Sequence, residues 1–245
     1  LVKEGRTILY ITHKLEEVIT LCNDVTIMRN GKVIDSCSTD NQTAKSLATK
    51  MLGEKLEDLK TDYSHVKNEI SISSKNISCS FNDPFFTDLK NISFDVNVGE
   101  IFGIAGVAGN GQSELMDILV GENTLIDSGE LIFNNKNIEY LGPQKRRDLS
   151  IAFVPENRLG HSAVPELTLS ENILLSQFPN NKFSKNGILN RNSIEDYAIK
   201  VIENFNVVTP GSDAKASSLS GGNLQKFVIG REISSKPKLL IISHP

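Results

Sequence analysis

Residues 106–113 read Gly106-Val107-Ala108-Gly109-Asn110-Gly111-Gln112-Ser113, between an apolar run, Ile101–Ala105, and a helix-spaced segment, Ser113–Val120. Gly106, Gly111 and Ser113 fit the phosphate-binding form G-x-x-x-x-G-K-[ST], which requires a strand before it and a helix after it. The backbone N–H groups of such a loop wrap a phosphate chain, and the helix N-terminus adds favourable potential. Ser113 would offer its hydroxyl to Mg2+. Gln112 stands where the form has lysine. An amide donates a hydrogen bond but carries no charge, so a γ-phosphate loses a counter-charge. Taken alone, the loop also suits a Gly-rich strand-to-helix turn without a ligand.

Downstream lies Leu219-Ser220-Gly221-Gly222-Asn223-Leu224-Gln225-Lys226, at the start of a helix expected over Gly222–Ser234. Ser220 can donate a hydrogen bond to an anion, and two glycines let backbone approach a phosphate closely. The bland alternative is a serine N-cap on an amphipathic helix. A buried strand, Leu239–Ile242, follows and runs into Ser243-His244-Pro245, with Ser243 lying 23 residues after Ser220.

The rest of the chain is read from periodicity. Thr7–Thr12 is apolar and β-branched, as in a buried strand, and Leu15, Val18, Ile19 and Cys22 recur at helical spacing. Asp24–Met28 and Lys32–Asp35 flank the turn pair Asn30-Gly31, which signals a hairpin. A short helix is expected over Ala44–Leu52. Residues 53–69 are charged and weakly periodic, as in a linker, and strands alternate from Ile70 to Val98. Pro155–Asn192 is rich in Pro, Asn and Ser and reads as loop, and a helix returns over Ile194–Phe205. His161 reads as a plain loop histidine.

Bulk properties exclude several classes. The net charge of −4 argues against a broad electrostatic grip on nucleic acid. Three cysteines without short spacing argue against a disulfide framework or a zinc site. No run of about 18 apolar residues spans a membrane. Leu1 in place of Met, and Pro245 stopping in mid-motif, read as truncation points.

Together these motifs resemble the ABC-type ATPases, and within them the ATP-binding subunits of simple-sugar and nucleoside importers. Leu219–Asn223 resembles the ABC signature. Leu239–Pro245 resembles the Walker B strand, with Ser243 and His244 standing where that family has Asp and Glu. Both carboxylates used on Mg2+ and on the attacking water are then missing. Ile151–Arg158 resembles the Q-loop region, with Glu156 at the Gln position. Thr7–Glu17 with Asp24–Lys32 resembles the H-loop end of an ABC domain, with His13 at the switch position.

The resemblance implies a P-loop NTPase fold of α/β class. It would have a mixed sheet around the P-loop helix, an antiparallel β subdomain near Ile70–Val98 and a helical subdomain around 155–218. It implies the end of a first nucleotide-binding domain over 1–52, a linker over 53–69, and a second domain over 70–245 truncated at Walker B. ATP and Mg2+ are the implied cofactors. Adenine would stack on Phe81, Phe85 or Phe86, with Phe81 favoured, although each also suits a core. In head-to-tail pairs, His13 with Ser220, Gly221 and Gly222 would serve one composite site. Gly106, Gly109, Asn110, Gly111, Gln112 and Ser113, with Glu156, Ser243 and His244, would form the other, degenerate site. Implied partners are integral-membrane permease subunits and, indirectly, a substrate-binding protein or lipoprotein, at the cytoplasmic face of the plasma membrane. The competing readings are a non-hydrolysing structural domain and a soluble ABC protein without a transport role.

Overall fold

The computed structural model describes residues 1–29, 31–53, 65–81, 83–177, 183–185 and 187–244. Asn30 of the expected turn, residues 54–64 of the expected linker, and Pro245 lie outside the described residues. The chain divides into two compact units, Leu1–Asp62 and Tyr63–Pro245.

In the smaller unit, α1 (Leu15–Leu21) leads into the antiparallel hairpin of β1 (Asp24–Arg29) and β2 (Lys32–Ser38), and α2 (Ala44–Leu52) follows. α2 opens with a capping box: Ser46 N donates to Thr43 Oγ1 at 3.1 Å and Thr43 N to Ser46 Oγ at 3.0 Å, which satisfies two donors that a helix start leaves orphaned. Val18, Ile27 and Leu47 make the core. The strand expected over Thr7–Thr12 does not form, and Leu9 and Ile11 are 88% and 89% exposed. An apolar β-branched run becomes a strand only when a neighbour takes up its backbone groups, and among the described residues none does.

The larger unit begins with β3 (Ile70–Cys79) and β4 (Leu89–Asn97), continues through α3 (Gln112–Val120), and then β5 (Ser128–Phe133) and β6 (Lys136–Asn137). These strands form one antiparallel sheet in the order β4-β3-β5-β6. Leu115, Ile118 and Leu119 of α3 pack with Ile72, Ile77, Leu131 and Phe133 of this sheet. Next come α4 (Pro143–Asp148) and β7 (Ile151–Val154), then α5 (Leu169–Gln177), the two-residue strands β8 (Ser184–Lys185) and β9 (Ile188–Leu189), α6 (Arg191–Asn204), α7 (Gly221–Ile233) and β10 (Leu239–Ile242). β10 pairs with β7 in parallel, Leu239 opposite Ile151 and Ile242 opposite Val154. A second core joins Leu169 and Ile173 of α5, Ala198 and Val201 of α6, and Leu224, Phe227 and Val228 of α7.

Three expectations need correction here. Ile101–Ala105 is not a strand: Ile101 is 91% exposed, and among the described residues β10 pairs with β7 alone. For the same reason no mixed sheet surrounds α3; the described sheets are one parallel pair and separate antiparallel ones. Finally, the loop expected over Pro155–Asn192 contains α5. Its start is fixed by Thr168 and Glu171, since Glu171 N donates to Thr168 Oγ1 at 3.1 Å and Thr168 N to Glu171 Oε2 at 2.9 Å. That reciprocal cap outweighs the polar composition around it.

Candidate functional site

The 106–113 loop turns on its glycines. Gly109 and Gly111 have φ of +86° and +100°, a region that favours residues without a Cβ. Asn110 N donates to Val107 O at 3.2 Å, and Leu115 N to Gly111 O at 2.9 Å as α3 begins. Gln112 folds back onto the loop: its Nε2 donates to Val107 O at 3.2 Å, and its carboxamide covers Gly106, where a Cβ would collide with it. Ser113 is exposed beside it.

A second segment is tied to this loop, and the sequence reading missed it. Thr87 Oγ1 donates to Gly109 O at 2.8 Å, and Thr87 N donates to Oε1 of the buried Glu114 at 2.9 Å. Thr87 also lines an open surface depression together with Phe81, Asp83, Phe86, Asp88 and Lys90. Phe81 stacks on Phe86 with ring centroids 5.5 Å apart and also packs against the sheet core, whereas Phe85 is 93% exposed. A threonine two residues before a strand carries no periodic or motif signal, so this tie was not legible.

The end of β10 gathers a further group. Ser243 N donates to Val154 O at 3.0 Å, extending the β7–β10 pairing by one residue. Ser243 Oγ lies 3.1 Å from His244 Nδ1, and Glu156 Oε2 lies 3.5 Å from the same nitrogen. Gln225 of α7 donates to His244 O at 3.3 Å. The structure therefore brings Glu156, Ser243 and His244 together. As a Mg2+ site this set does not fit. That ion takes oxygen ligands, mostly carboxylates, and here the one carboxylate faces an imidazole. Among the described residues no three His, Cys, Asp or Glu side chains converge.

At the start of α7, Ser220 caps the helix: Asn223 Nδ2 donates to its Oγ at 3.1 Å, and Asn223 Oδ1 accepts from Val208 N at 3.0 Å. Gly221 and Gly222 are exposed. Arg158 Nη1 lies 2.9 Å from where a Cβ on Gly221 would stand, so glycine is what lets the guanidinium come this close.

His13 belongs to the smaller unit, exposed just before α1. Nearby, hydrogen bonds from Tyr10 and Lys14 hold the Glu17 carboxyl below the usual carboxylate range. His161, expected as a plain loop residue, instead meets Glu122 just beyond α3, with Nε2 2.6 Å from Oε1. Burial, and then the neighbouring Glu122, push the Asp117 carboxyl up.

The ABC transporter family model matches residues 89–245. The chain belongs to the ABC transporter family. It is similar to the nucleoside import ATP-binding protein NupA of Lactococcus lactis, at 38% identity over all of this chain and 48% of that protein. It is also similar to the glucose import ATP-binding protein TsgD13 of Haloferax volcanii, at 34% identity over all of this chain and 44% of that one. The chain thus spans about half the length of these curated relatives. Among solved structures it resembles the ADP conformation of MJ1267, an ATP-binding cassette of an ABC transporter, at 26% identity and a TM-score of 0.52, over 71% of this chain and 68% of that one. The larger unit accordingly has the α/β fold of the ABC ATPases. No helix among the described residues is long and apolar enough to cross a membrane.

Proposed function

We propose that the chain is part of the ATP-binding subunit of an ABC importer, coupling ATP binding and hydrolysis to uptake of a sugar or nucleoside. Residues 1–52 would close a first nucleotide-binding domain, 53–69 would link, and 70–245 would belong to a second. Ser220, Gly221 and Gly222 complete a composite site that hydrolyses ATP with Mg2+, and His13 is the switch histidine of the first domain. The P-loop of 106–113 holds nucleotide without turnover, with Phe81 beside the base. Permease subunits in the membrane dock the protein at the cytoplasmic face of the plasma membrane, and a substrate-binding protein or lipoprotein acts through them.

The observation that carries the reading is the end of β10. At the positions of the two Walker B carboxylates stand Ser243 and His244, and the imidazole faces Glu156 at 3.5 Å. Neither Ser243 nor His244 brings the anionic charge that a carboxylate at its position would lend a metal. Gln112 adds to this, because its uncharged carboxamide lies over the loop it would have to serve. The names of the relatives support sugar or nucleoside as cargo.

The test is steady-state ATP hydrolysis by the full-length protein with its permease. Ser220→Arg puts a long cationic side chain where backbone must approach phosphate, and is expected to lower turnover by about a hundredfold or more. Gln112→Ala is expected to change it by less than about twofold. Equal damage from both would sink the asymmetric reading.

A further inference from the structure

The 106–113 loop contains a pair whose chemistry the proposed function does not use. Asn110 is followed by Gly111, one of three Asn-Gly pairs in the chain. The other two, Asn30-Gly31 and Asn186-Gly187, have their asparagines outside the described residues. An asparagine carboxamide can be attacked by the backbone nitrogen of the next residue, and a side chain on that residue shields the nitrogen. Glycine has none. The fold keeps it so here: Gly111 has φ of +100°, and a Cβ on it would stand 2.8 Å from Leu89 Cδ2. Both reacting groups are also unheld. Asn110 is exposed, and among the described residues nothing hydrogen-bonds its carboxamide or the Gly111 N–H. The main chain beside them is fixed, by Asn110 N on Val107 O at 3.2 Å and by Thr87 Oγ1 on Gly109 O at 2.8 Å. Other asparagines differ on both counts. Asn172 donates to three carbonyls and accepts from Val164 N, Asn123 accepts from Leu125 N, Asn97 donates to Glu100, and Asn223 donates to Ser220. They are followed by Ile173, Thr124, Val98 and Leu224, each with a side chain that shields its nitrogen.

We propose that Asn110 is a site of deamidation, and that its product disables the loop for phosphate. Gly111 N attacks Asn110 Cγ and closes a five-membered succinimide. The Cγ–Nδ2 bond breaks, and Nδ2 leaves as ammonia with the proton from Gly111 N. Water then opens the ring at Cγ, giving aspartate, or at the Asn110 main-chain carbonyl, giving isoaspartate. Either product puts a carboxylate beside the negative charge of a bound phosphate, and isoaspartate also adds a methylene to the main chain. A phosphate chain wrapped by the loop takes up the Gly111 N–H and so removes the nucleophile. Occupied loops are therefore preserved and empty ones are lost. This consequence rests on reading 106–113 as a nucleotide loop; the reaction itself does not.

Peptide mass spectrometry on the intact protein, aged in mildly alkaline buffer, follows the reaction, with isoaspartate detected by enzymatic methylation. Without nucleotide, isoaspartate is expected at Asn110 about tenfold faster than at Asn97, Asn123, Asn172 or Asn223, the scale of one hydrogen bond that need not be broken first. Asn110→Gln, which would need a six-membered ring, should form none at that position. Formation at Asn110 no faster than at those four, or aspartate there without isoaspartate, overturns the site. Amide hydrogen exchange with and without ATP tests the consequence. ATP should protect 106–113 in the parent, and at about tenfold above its Kd should slow isoaspartate formation at Asn110 about tenfold. Asn110→Asp should need about tenfold more ATP for the same protection, the scale of one charge added near a phosphate. The urea midpoint checks that this variant is folded. Ageing gives a second reading that does not depend on it: aged parent should lose protection by ATP, while aged Asn110→Gln keeps whatever protection it showed when fresh. Parental protection in folded Asn110→Asp, or undiminished protection in aged parent that carries isoaspartate at Asn110, overturns the consequence. No protection of fresh parent refutes the nucleotide loop and the consequence with it, and leaves the reaction judged by the nucleotide-free comparison.

Discussion

Replacing Arg146 by alanine is expected to destabilise the larger unit by about 3–5 kcal/mol, the scale of leaving several buried carbonyls without a donor. Arg146 is fully buried on α4. Its Nη1 donates to the carbonyls of Ile118 and Leu119, the latter at 2.7 Å, its Nη2 to those of Ile138 and Glu139 at 2.8 and 3.2 Å, and its Nε to that of Leu141 at 2.7 Å. Two of those carbonyls belong to the last turn of α3, where a helix has no internal donors left. Burial pushes the guanidinium down to about 10, so it remains charged at neutral pH. Alanine would leave the carbonyls of Ile118, Leu119, Glu139 and Leu141 competing for water that cannot reach them, while Ile138 O keeps the Leu141 N–H at 2.9 Å. Arg146→Lys should recover only part of the loss, because an ammonium has three donors and no planar fork. Urea unfolding of the chain, followed through the larger unit, checks this. A loss under about 1 kcal/mol would mean that water satisfies the site.

Such a residue could not have been found from the sequence. Arg146 sits in the polar run Gln144–Asp148, and only the packed structure shows that α3 ends against it. The same limit hid the Thr87 tie to Gly109 and the His161–Glu122 pair, whose partners lie 22 and 39 residues away. What was legible depended on local rules. α2, the β1–β2 hairpin, α3, α6, α7 and β10 follow from apolar spacing and from caps written within three or four residues. Composition read the region of α5 as loop, whereas the resemblance implied a helical subdomain around 155–218, and the Thr168-Leu169-Ser170-Glu171 box marks where its helix starts.

The two strands that failed to form mark the opposite boundary. Thr7–Thr12 and Ile101–Ala105 have the right composition, yet a strand is a relation between segments, and composition gives only half of it. At the candidate site the glycine spacing of 106–111 and the cap at Ser220 were readable. The facing of His244 by Glu156 was not, because it joins the ends of two strands 88 positions apart in the chain.

Glu232→Ala should cost the larger unit about 3–5 kcal/mol as well, and how that loss is repaired would tell why the charge is there. Glu232 is fully buried on α7. Its Oε2 accepts from Arg147 Nη1 at 2.7 Å and its Oε1 from Arg231 Nε at 2.9 Å. Arg147 lies over the Phe153 ring of β7, 3.9 Å from its centroid. The carboxylate therefore neutralises two guanidinium groups, one from α4 and one from its own helix. Removing it leaves both in a poorly solvated place with like charges facing each other, whereas removing Arg147 alone leaves a neutral pair. Arg147→Met should therefore cost less than Glu232→Ala, and adding Arg147→Met to Glu232→Ala should restore part of the stability instead of adding to the loss. A cycle of the four proteins by urea unfolding measures that coupling. If the two losses simply add, the pair is not coupled, and α7 is held by Leu224, Phe227 and Val228 in the core instead. If they compensate, the charge on α7 fixes its register against α4 and β7, and with it the place where Ser220, Gly221 and Gly222 emerge.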